Sequence, residues 1–148
     1  IRLQLGYLPE DLEIEMLQRR LNRGSTPPTV SQVVAAADLI AMREAVEQVS
    51  VHPDVLRYIV ALAAATRSHS HVEVGASPRA ELDLVQMSRA RAMLLGRDFV
   101  IPEDVKALAV PAVAHRISLR PEMWVRRITG AHVVDELLHR LPVPRASG

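Results

Sequence analysis

Apolar side chains recur at helical spacing along most of the chain, and this periodicity limits the fold more than any other feature. Near the C-terminal end, Val134, Leu137, Leu138 and Leu141 occupy the i, i+3, i+4 and i+7 positions of one helix face. The same period returns in five earlier segments, which are separated by polar, glycine-containing or proline-containing stretches. The sequence therefore predicts an all-α fold, a helical bundle of about six helices.

Prolines and small polar residues indicate where the helices begin and end. Ser77 followed by Pro78 has N-cap and first-turn chemistry, and Pro102 opens the next helix in the same way. Pro111 should end or kink that helix, because it removes a backbone donor and clashes with the preceding turn. The predicted helices cover about 10–21, 31–48, a third after 53, 77–95, a fifth from 102 to 111, and 131–141, while short strands are compatible with 2–5 and 71–74.

The second predicted helix carries apolar residues on more than one side. Ser31 is its expected N-cap, and Leu39, Met42, Val46 and Val49 form one stripe. Further alanines and valines lie on its other sides. We therefore expect this helix to be broadly buried.

Composition excludes several classes of protein. The chain has 148 residues, of which 49% are apolar and 24% charged, with a net charge of +1, so it suits one folded domain and does not suit a disordered chain. The absence of cysteine excludes disulfides and thiolate sites. No stretch approaches the roughly 18 apolar residues of a membrane span. The chain opens at Ile1 without an initiator methionine, and we expect it to be part of a longer protein.

No motif for independent catalysis or metal binding is present. The glycines do not form a phosphate-binding Gly-x-x-x-x-Gly-Lys-Ser/Thr loop or a Gly-x-Ser-x-Gly nucleophile turn. His69 and His71 lie two residues apart, but no further ligand follows at metal-binding spacing. We expect no metal site, and we expect no catalysis by this chain alone.

One short segment, from Gly75 to Arg79, has the chemistry of an anion site. Gly75 should free the backbone, while Ser77 and Pro78 open a helix whose first N–H groups have no helical partner. Arg79 lies within that first turn, where the helix dipole disfavours a cation unless an anion binds both the open N–H groups and the guanidinium. A guanidinium also matches phosphate, because it stays charged and presents a planar fork.

The alternative for Arg79 is an ordinary ion pair. Glu73, Glu81 and Asp83 are all close to it in sequence. Any of them would neutralise its charge without a ligand, and the residues by themselves leave this alternative open.

A second basic segment supports two other functions. Arg116, Arg120, Arg126 and Arg127 flank the single tryptophan, Trp124. If exposed, they would let a stand-alone helical protein-interaction module recognise a partner. A helical nucleic-acid-binding domain is the weaker alternative, because acidic residues nearly cancel the basic ones and only 3% of residues are aromatic.

Short segments spread along nearly the whole chain add a family resemblance. They are Gly6-Tyr7, 13–17, 51–59, Ala65-Thr66-Arg67, Gly75-Ala76-Ser77-Pro78-Arg79-Ala80, 96–105, His115-Arg116-Ile117 and Val143-Pro144. In this order they resemble the C-terminal lid region of MoxR-type AAA+ ATPases. The resemblance implies an AAA+ lid fold, with residues 1–30 as the hinge and connecting segment, including the first helix and a linker. Residues 31–148 would form the helical lid domain with the sensor 2 motif.

The resemblance also implies a site. In that family the arginine of the Gly-Ala-Ser-Pro-Arg motif is sensor 2, which implies that Arg79 reaches the γ-phosphate of ATP bound in a preceding α/β core. Gly6 to Pro9 would be the hinge near the adenine, although the family often has proline directly after Gly-Tyr and Leu8 stands there in this chain. The nucleotide-binding residues implied are Gly75, Ser77, Pro78, Arg79, Tyr7 and Leu8.

For the whole protein, the resemblance implies a chaperone-like ATPase in protein-complex maturation. Its Walker A and Walker B motifs would lie upstream of Ile1, in a core that binds ATP and Mg²⁺, while the chain alone would bind neither. The implied partners are its own N-terminal AAA+ core, further copies in a homo-hexamer, and proteins with von Willebrand factor A domains. The resemblance implies a cytoplasmic location. The lack of a long apolar stretch argues against a membrane as partner, and the balanced charge and few aromatics argue against a nucleic acid.

Overall fold

The computed structural model describes residues 1–144, which form seven α-helices and one small sheet, so the predicted all-α class is confirmed. Residues 145–148, the end of the predicted lid domain, lie outside the described residues. The elements are α1 (Glu10–Arg23), α2 (Ala36–Gln48), α3 (Pro53–Ser68), β1 (Val72–Val74), α4 (Pro78–Leu94), α5 (Pro102–Val113), a 3₁₀ turn (Ala114–Arg116), β2 (Ser118–Leu119), α6 (Glu122–Val125) and α7 (Gly130–Arg140).

Prolines occupy the first position of three helices, α3, α4 and α5. Proline is favourable there because its missing N–H would have no helical partner and its φ is already helical. The predicted starts of α4 and α5 are confirmed. Pro111 does not end α5 at once, since the helix continues to Val113 before the 3₁₀ turn follows.

The core lies between α3, α4, α5 and α7, each of which contributes fully buried side chains. Leu62 of α3, Val105 of α5 and Val134 of α7 have no exposed surface, and Leu84 of α4 is 1% exposed. Burying a side chain of this kind contributes about 1.5–3 kcal/mol. These four helices therefore form one packed body, and this body fixes the position of the start of α4.

The two N-terminal helices do not join this core. No residue of α1 or α2 is buried, and the apolar side chains of Leu39 and Ile40 are more than half exposed. The expected broad burial of α2 is therefore wrong for this chain, because no other element among the described residues covers these faces. Its expected N-cap, Ser31, is also wrong. The helix begins after Ala35, whose N–H donates to the carboxylate of Asp38 at 2.8 Å.

Arg89 of α4 attaches the C-terminal end of α2 to the four-helix body. The Arg89 Nε donates to the carbonyl of Val49 at 2.9 Å, and its guanidinium contacts the carboxylate of Glu47 at 2.7 Å. Hydrogen bonds from Gln86 and from Arg89 lower the pKa of Glu47. These contacts therefore hold the end of α2 against α4.

The sheet pairs β1 with β2 in antiparallel orientation, with Val72 opposite Leu119. The strand expected at 71–74 is confirmed, whereas β2 and α6 are too short to leave a periodic pattern in the sequence. Residues 2–5 form no strand. Instead, the N–H of Arg2 donates to the carbonyl of Pro111 at 2.9 Å, and Gly6 follows with a φ of +69°.

Candidate functional site

One backbone donor in the first turn of α4, the N–H of Arg79, has no acceptor among the described residues. Ser77 is the N-cap residue, with an extended backbone, but its side chain makes no capping hydrogen bond. Pro78 has no N–H, and the N–H of Ala80 donates to the carbonyl of Ser77 at 2.9 Å, whereas the N–H of Arg79 makes no backbone hydrogen bond to the described residues. At the positive end of the α4 dipole, the N–H of Arg79 is therefore free to bind an external acceptor.

The guanidinium of Arg79 is also free. The residue is exposed, and its side chain makes no salt bridge or hydrogen bond to any of residues 1–144. Glu81 is bonded to Arg67, and Asp83 is bonded to Arg116. The alternative in which Arg79 forms an ordinary ion pair with a neighbouring carboxylate is therefore wrong for this structure.

Arg67, in the last turn of α3, holds the loop that leads into α4. Its Nε donates to the carbonyl of Ala76 at 2.7 Å, and its NH2 group lies 2.6 Å from Glu81 Oε1. One guanidinium thus contacts both sides of the helix start. The sequence marks Arg67 only as one piece of the family resemblance, because its partners lie 9 and 14 residues further along the chain.

Thr66 completes the attachment of the same loop. It is fully buried, and its hydroxyl accepts from the N–H of Ala76 at 2.9 Å while it donates to the carbonyl of Ala63 at 2.6 Å. Both backbone groups of Ala76 are therefore bound, one by Thr66 and the other by Arg67. This clamp, formed by Thr66 and Arg67, fixes the direction in which α4 begins.

Gly75 is required for close packing. A Cβ at this position would lie 2.6 Å from the Cα and the Cγ of Arg67 and 2.7 Å from its backbone nitrogen. Its φ is not positive. The expectation that Gly75 serves by freeing the backbone is therefore wrong, since the residue allows the loop to approach α3.

Asp83, one turn into α4, is bound from the other side of the body. Its Oδ2 lies 2.5 Å from Arg116 NH1, at the end of the 3₁₀ turn that follows α5. The Arg116 side chain is 29% exposed and the Asp83 side chain 41%. This ion pair is a second tertiary contact that sequence spacing does not reveal.

The structure does not bring Tyr7 and Leu8 to the start of α4. Tyr7 is 99% exposed, and neither residue makes a hydrogen bond or salt bridge to the Gly75–Arg79 segment among the described residues. Leu8 instead borders an apolar groove along α1, together with Leu12 and Met16. Their expected place at the nucleotide therefore stays a prediction.

The second basic segment is exposed. Trp124 is 81% exposed, and Arg120, Arg126 and Arg127 have no ion pair within residues 1–144. Arg127 has a φ of 53°, which is uncommon for a residue other than glycine. Trp124 and these three arginines are therefore exposed without an ion pair among the described residues, whereas Arg116 is bound to Asp83.

The histidines do not form a metal centre in the part of the chain that the structure describes. The Nε2 of His69 lies 3.5 Å from Glu136 Oε2, and the rings of His69 and His71 meet edge to face. Across residues 1–144, no group of three or more histidine, aspartate or glutamate side chains is arranged to hold a metal ion. Within the same residues, no helix combines the length and the apolar character needed to cross a membrane.

Comparison with known proteins places this geometry in a family. Residues 64–137 match the AAA lid domain family. Over 97% of its length the chain is 33% identical to the uncharacterized protein YeaC of Bacillus subtilis, and over 99% it is 30% identical to the chaperone MoxR1 of Mycobacterium tuberculosis.

A shorter part of the chain, 45% of it, is 43% identical to the protein MoxR of Methylorubrum extorquens, of which it covers 19%. A solved structure from Cytophaga hutchinsonii, provisionally described as an ATPase, superposes with a TM-score of 0.84 at 28% identity. That superposition covers 95% of this chain and 45% of the other. The chain spans 44% of YeaC and 40% of MoxR1, less than half the length of each.

Proposed function

The chain belongs to the AAA lid domain family, as the lid region of a MoxR-type AAA+ ATPase, and from this premise we propose that Arg79 is its sensor 2 arginine. In this proposal, Arg79 binds the γ-phosphate of an ATP molecule held by an AAA+ core on the same polypeptide. The chain itself is not catalytic. It supplies one charged contact to a site built mainly by the core.

The observation that carries the proposal is the unpaired state of Arg79. Its exposed guanidinium and its own open N–H lie at a helix start, and both nearby carboxylates on α4 are already bound to other arginines. Phosphate fits this arrangement, because it accepts from a planar guanidinium and is favoured at the positive end of a helix. Gly75, Ser77 and Pro78 contribute the shape of the turn.

The lid's own residues perform three tasks in this scheme. The clamp formed by Thr66 and Arg67 fixes the start of α4, and Gly75 allows the loop to lie close to α3. Arg79 then binds the terminal phosphate and so holds the lid against the core. ATP with Mg²⁺ supplies the reacting phosphoryl group when bound. Once the terminal phosphate has left, Arg79 has no anion to bind and the lid is released.

The N-terminal part of the chain would connect lid and core. Gly6, with its φ of +69°, suits a hinge, and residues 1–30 form the connecting segment with its helix and linker. The exposed apolar faces of α1 and α2 suit burial against the core. Tyr7 and Leu8 would then lie near the adenine when the core is present.

The whole protein would be a cytoplasmic, chaperone-like ATPase that matures other proteins or complexes. Similarity to a relative named as a chaperone supports this reading. We place the lid in a homo-hexamer whose partners include proteins with von Willebrand factor A domains. A second candidate function, recognition of a partner protein by the Arg116–Arg127 segment, is favoured by the exposure of Trp124 and compatible with the first.

Replacement of Arg79 in the full-length protein tests the proposal. We expect Arg79→Ala to lower ATP turnover about 10- to 100-fold, which corresponds to the loss of one charge-assisted hydrogen-bonded contact. Arg43→Ala is the matched control, because Arg43 is also exposed and unpaired among the described residues but lies on α2. Turnover at the wild-type rate in a folded Arg79→Ala protein would overturn the assignment.

A further inference from the structure

Asp83 is the carboxylate on α4 best placed to compete with a phosphate for Arg79. It follows Arg79 by four residues, and side chains at i and i+4 are neighbours on a helix, with Cβ atoms about 5–6 Å apart. Helical side chains also lean toward the N-terminus, so that of Asp83 leans over the turn that carries Arg79. Glu81, two residues from Arg79, lies on another face and is bound by Arg67.

Arg116 prevents that competition in the structure. Its Nη1 lies 2.5 Å from Asp83 Oδ2, and no ion pair or hydrogen bond joins Asp83 to Arg79. Arg116 comes from the 3₁₀ turn Ala114–Arg116, and so from outside α4. A distant part of the lid thus neutralises the one carboxylate that helical geometry places beside the sensor arginine.

We propose that Arg116 is a positioning residue for Arg79: by binding Asp83, it keeps Arg79 unpaired and available to the γ-phosphate. The inference rests on the proposed function of Arg79. Without Arg116, Asp83 would pair with Arg79 in a fraction of the molecules. Only the remaining molecules would be competent to bind the phosphate, and the apparent affinity for ATP would fall in proportion.

Steady-state ATP turnover by the full-length protein tests this role with three variants. We expect Arg116→Gln to raise the KM for ATP about two- to fivefold, the scale of an exposed i, i+4 ion pair that must be broken first, with a smaller change in kcat. Adding Asp83→Asn should restore the KM, because the competing carboxylate is gone. Asp83→Asn alone should leave the KM unchanged.

The double variant separates positioning from a merely structural ion pair. Arg116→Gln and the double variant both lack the ion pair, so a structural role predicts the same raised KM and the same melting temperature in both. Positioning predicts equal melting temperatures but a restored KM in the double variant only. Arg116→Lys, which keeps the charge, should retain the KM. Arg140→Gln should retain it too, because it removes an exposed arginine paired with Glu136 on α7.

Two results would overturn the role of Arg116: an unchanged KM in Arg116→Gln, or a raised KM that Asp83→Asn does not restore. Arg79→Ala, measured in the same assay, identifies which claim has failed. If it lowers turnover while Arg116→Gln leaves the KM unchanged, only the role of Arg116 is wrong. If Arg79→Ala turns over ATP at the wild-type rate, the assignment of Arg79 as sensor 2 and the role of Arg116 are both wrong.

Discussion

The guanidinium of Arg97 binds the carboxylate of Asp104 through two hydrogen bonds, of 2.8 and 2.7 Å. Asp104 is 1% exposed, and its carboxylate also accepts from the N–H of Ile101 at 3.0 Å. The pair joins the turn after α4 to the start of α5. Because α4 carries Arg79, this buried pair helps to fix the body that presents the sensor arginine.

Removal of the negative charge of Asp104 should lower the stability of the folded protein. Asp104→Asn leaves Arg97 partly buried without its counter-charge, and breaking a buried pair in this way costs about 3–5 kcal/mol. We expect a fall in the free energy of unfolding in that range, measured by urea denaturation. Glu15→Gln is the control, because the Arg19–Glu15 pair is exposed and contributes about 0.5 kcal/mol or less. Equal effects of the two substitutions would contradict the account.

The same pair predicts a pH dependence. Burial by itself would raise the pKa of Asp104, but the hydrogen bonds from Arg97 and from the N–H of Ile101 outweigh it, and the pKa lies below its usual value. An unfolded aspartate has a pKa of about 3.9, so the contribution is complete well above that pH and is lost as the pH falls through the lower folded-state value.

The stability difference between the wild type and Asp104→Asn should therefore shrink as the pH falls from about 5 to about 2. Denaturation curves recorded across this range measure that difference. A constant difference over the whole range would mean that folding does not change the pKa of Asp104, and would contradict the lowered value.

Thr66 should control the protection of one amide. Thr66→Val keeps the shape of the side chain but removes the acceptor of the Ala76 N–H, a change that costs about 1–3 kcal/mol. Hydrogen exchange at Ala76 should accelerate in Thr66→Val, whereas Thr66→Ser keeps the acceptor and should keep the protection. Equal protection in the two variants would show that Thr66 does not hold the loop.

Gly75→Ala should disturb the approach of the loop to α3. The new Cβ would lie 2.6 Å from the Cα of Arg67, a backbone atom that cannot rotate away. Overpacking of this kind costs about 1–3 kcal/mol, and we expect ATP turnover of the full-length protein to fall as the start of α4 shifts. Ser77→Ala should change stability by less than about 0.5 kcal/mol, because Ser77 makes no capping bond. Comparable losses of stability in both variants would contradict this explanation.

Local signals in the sequence were enough to predict most helices. Pro78 and Pro102 predict helix starts because their effect acts on the backbone at their own position. The prediction of Ser31 as the N-cap was wrong, because the N-cap is Ala35, four residues later, whose N–H donates to the carboxylate of Asp38. The burial predicted for α2 from Leu39 and Met42 was wrong as well. An apolar stripe indicates a face that can be buried, but it does not identify the element that covers it.

The site was predictable only in part, and for a related reason. Arg79 could be found from the helix-start chemistry beside it and from the family resemblance. The availability of Arg79 could not be predicted, because it depends on two ion pairs between residues far apart in sequence. Arg67 binds Glu81, 14 residues away, and Arg116 binds Asp83, 33 residues away. Sequence spacing shows which acids lie near Arg79, whereas only the packed structure shows that other arginines already bind them.

The most direct test of the central claim compares two nucleotides on the full-length protein. Calorimetry would give the Kd of a slowly hydrolysed ATP analogue and of ADP for the wild type and for Arg79→Ala. If Arg79 binds the γ-phosphate, the substitution weakens the ATP analogue about tenfold or more, while ADP, which lacks that phosphate, changes by less than about twofold. Equal weakening of both nucleotides, or no change in either, would contradict the claim that Arg79 is the sensor of the γ-phosphate.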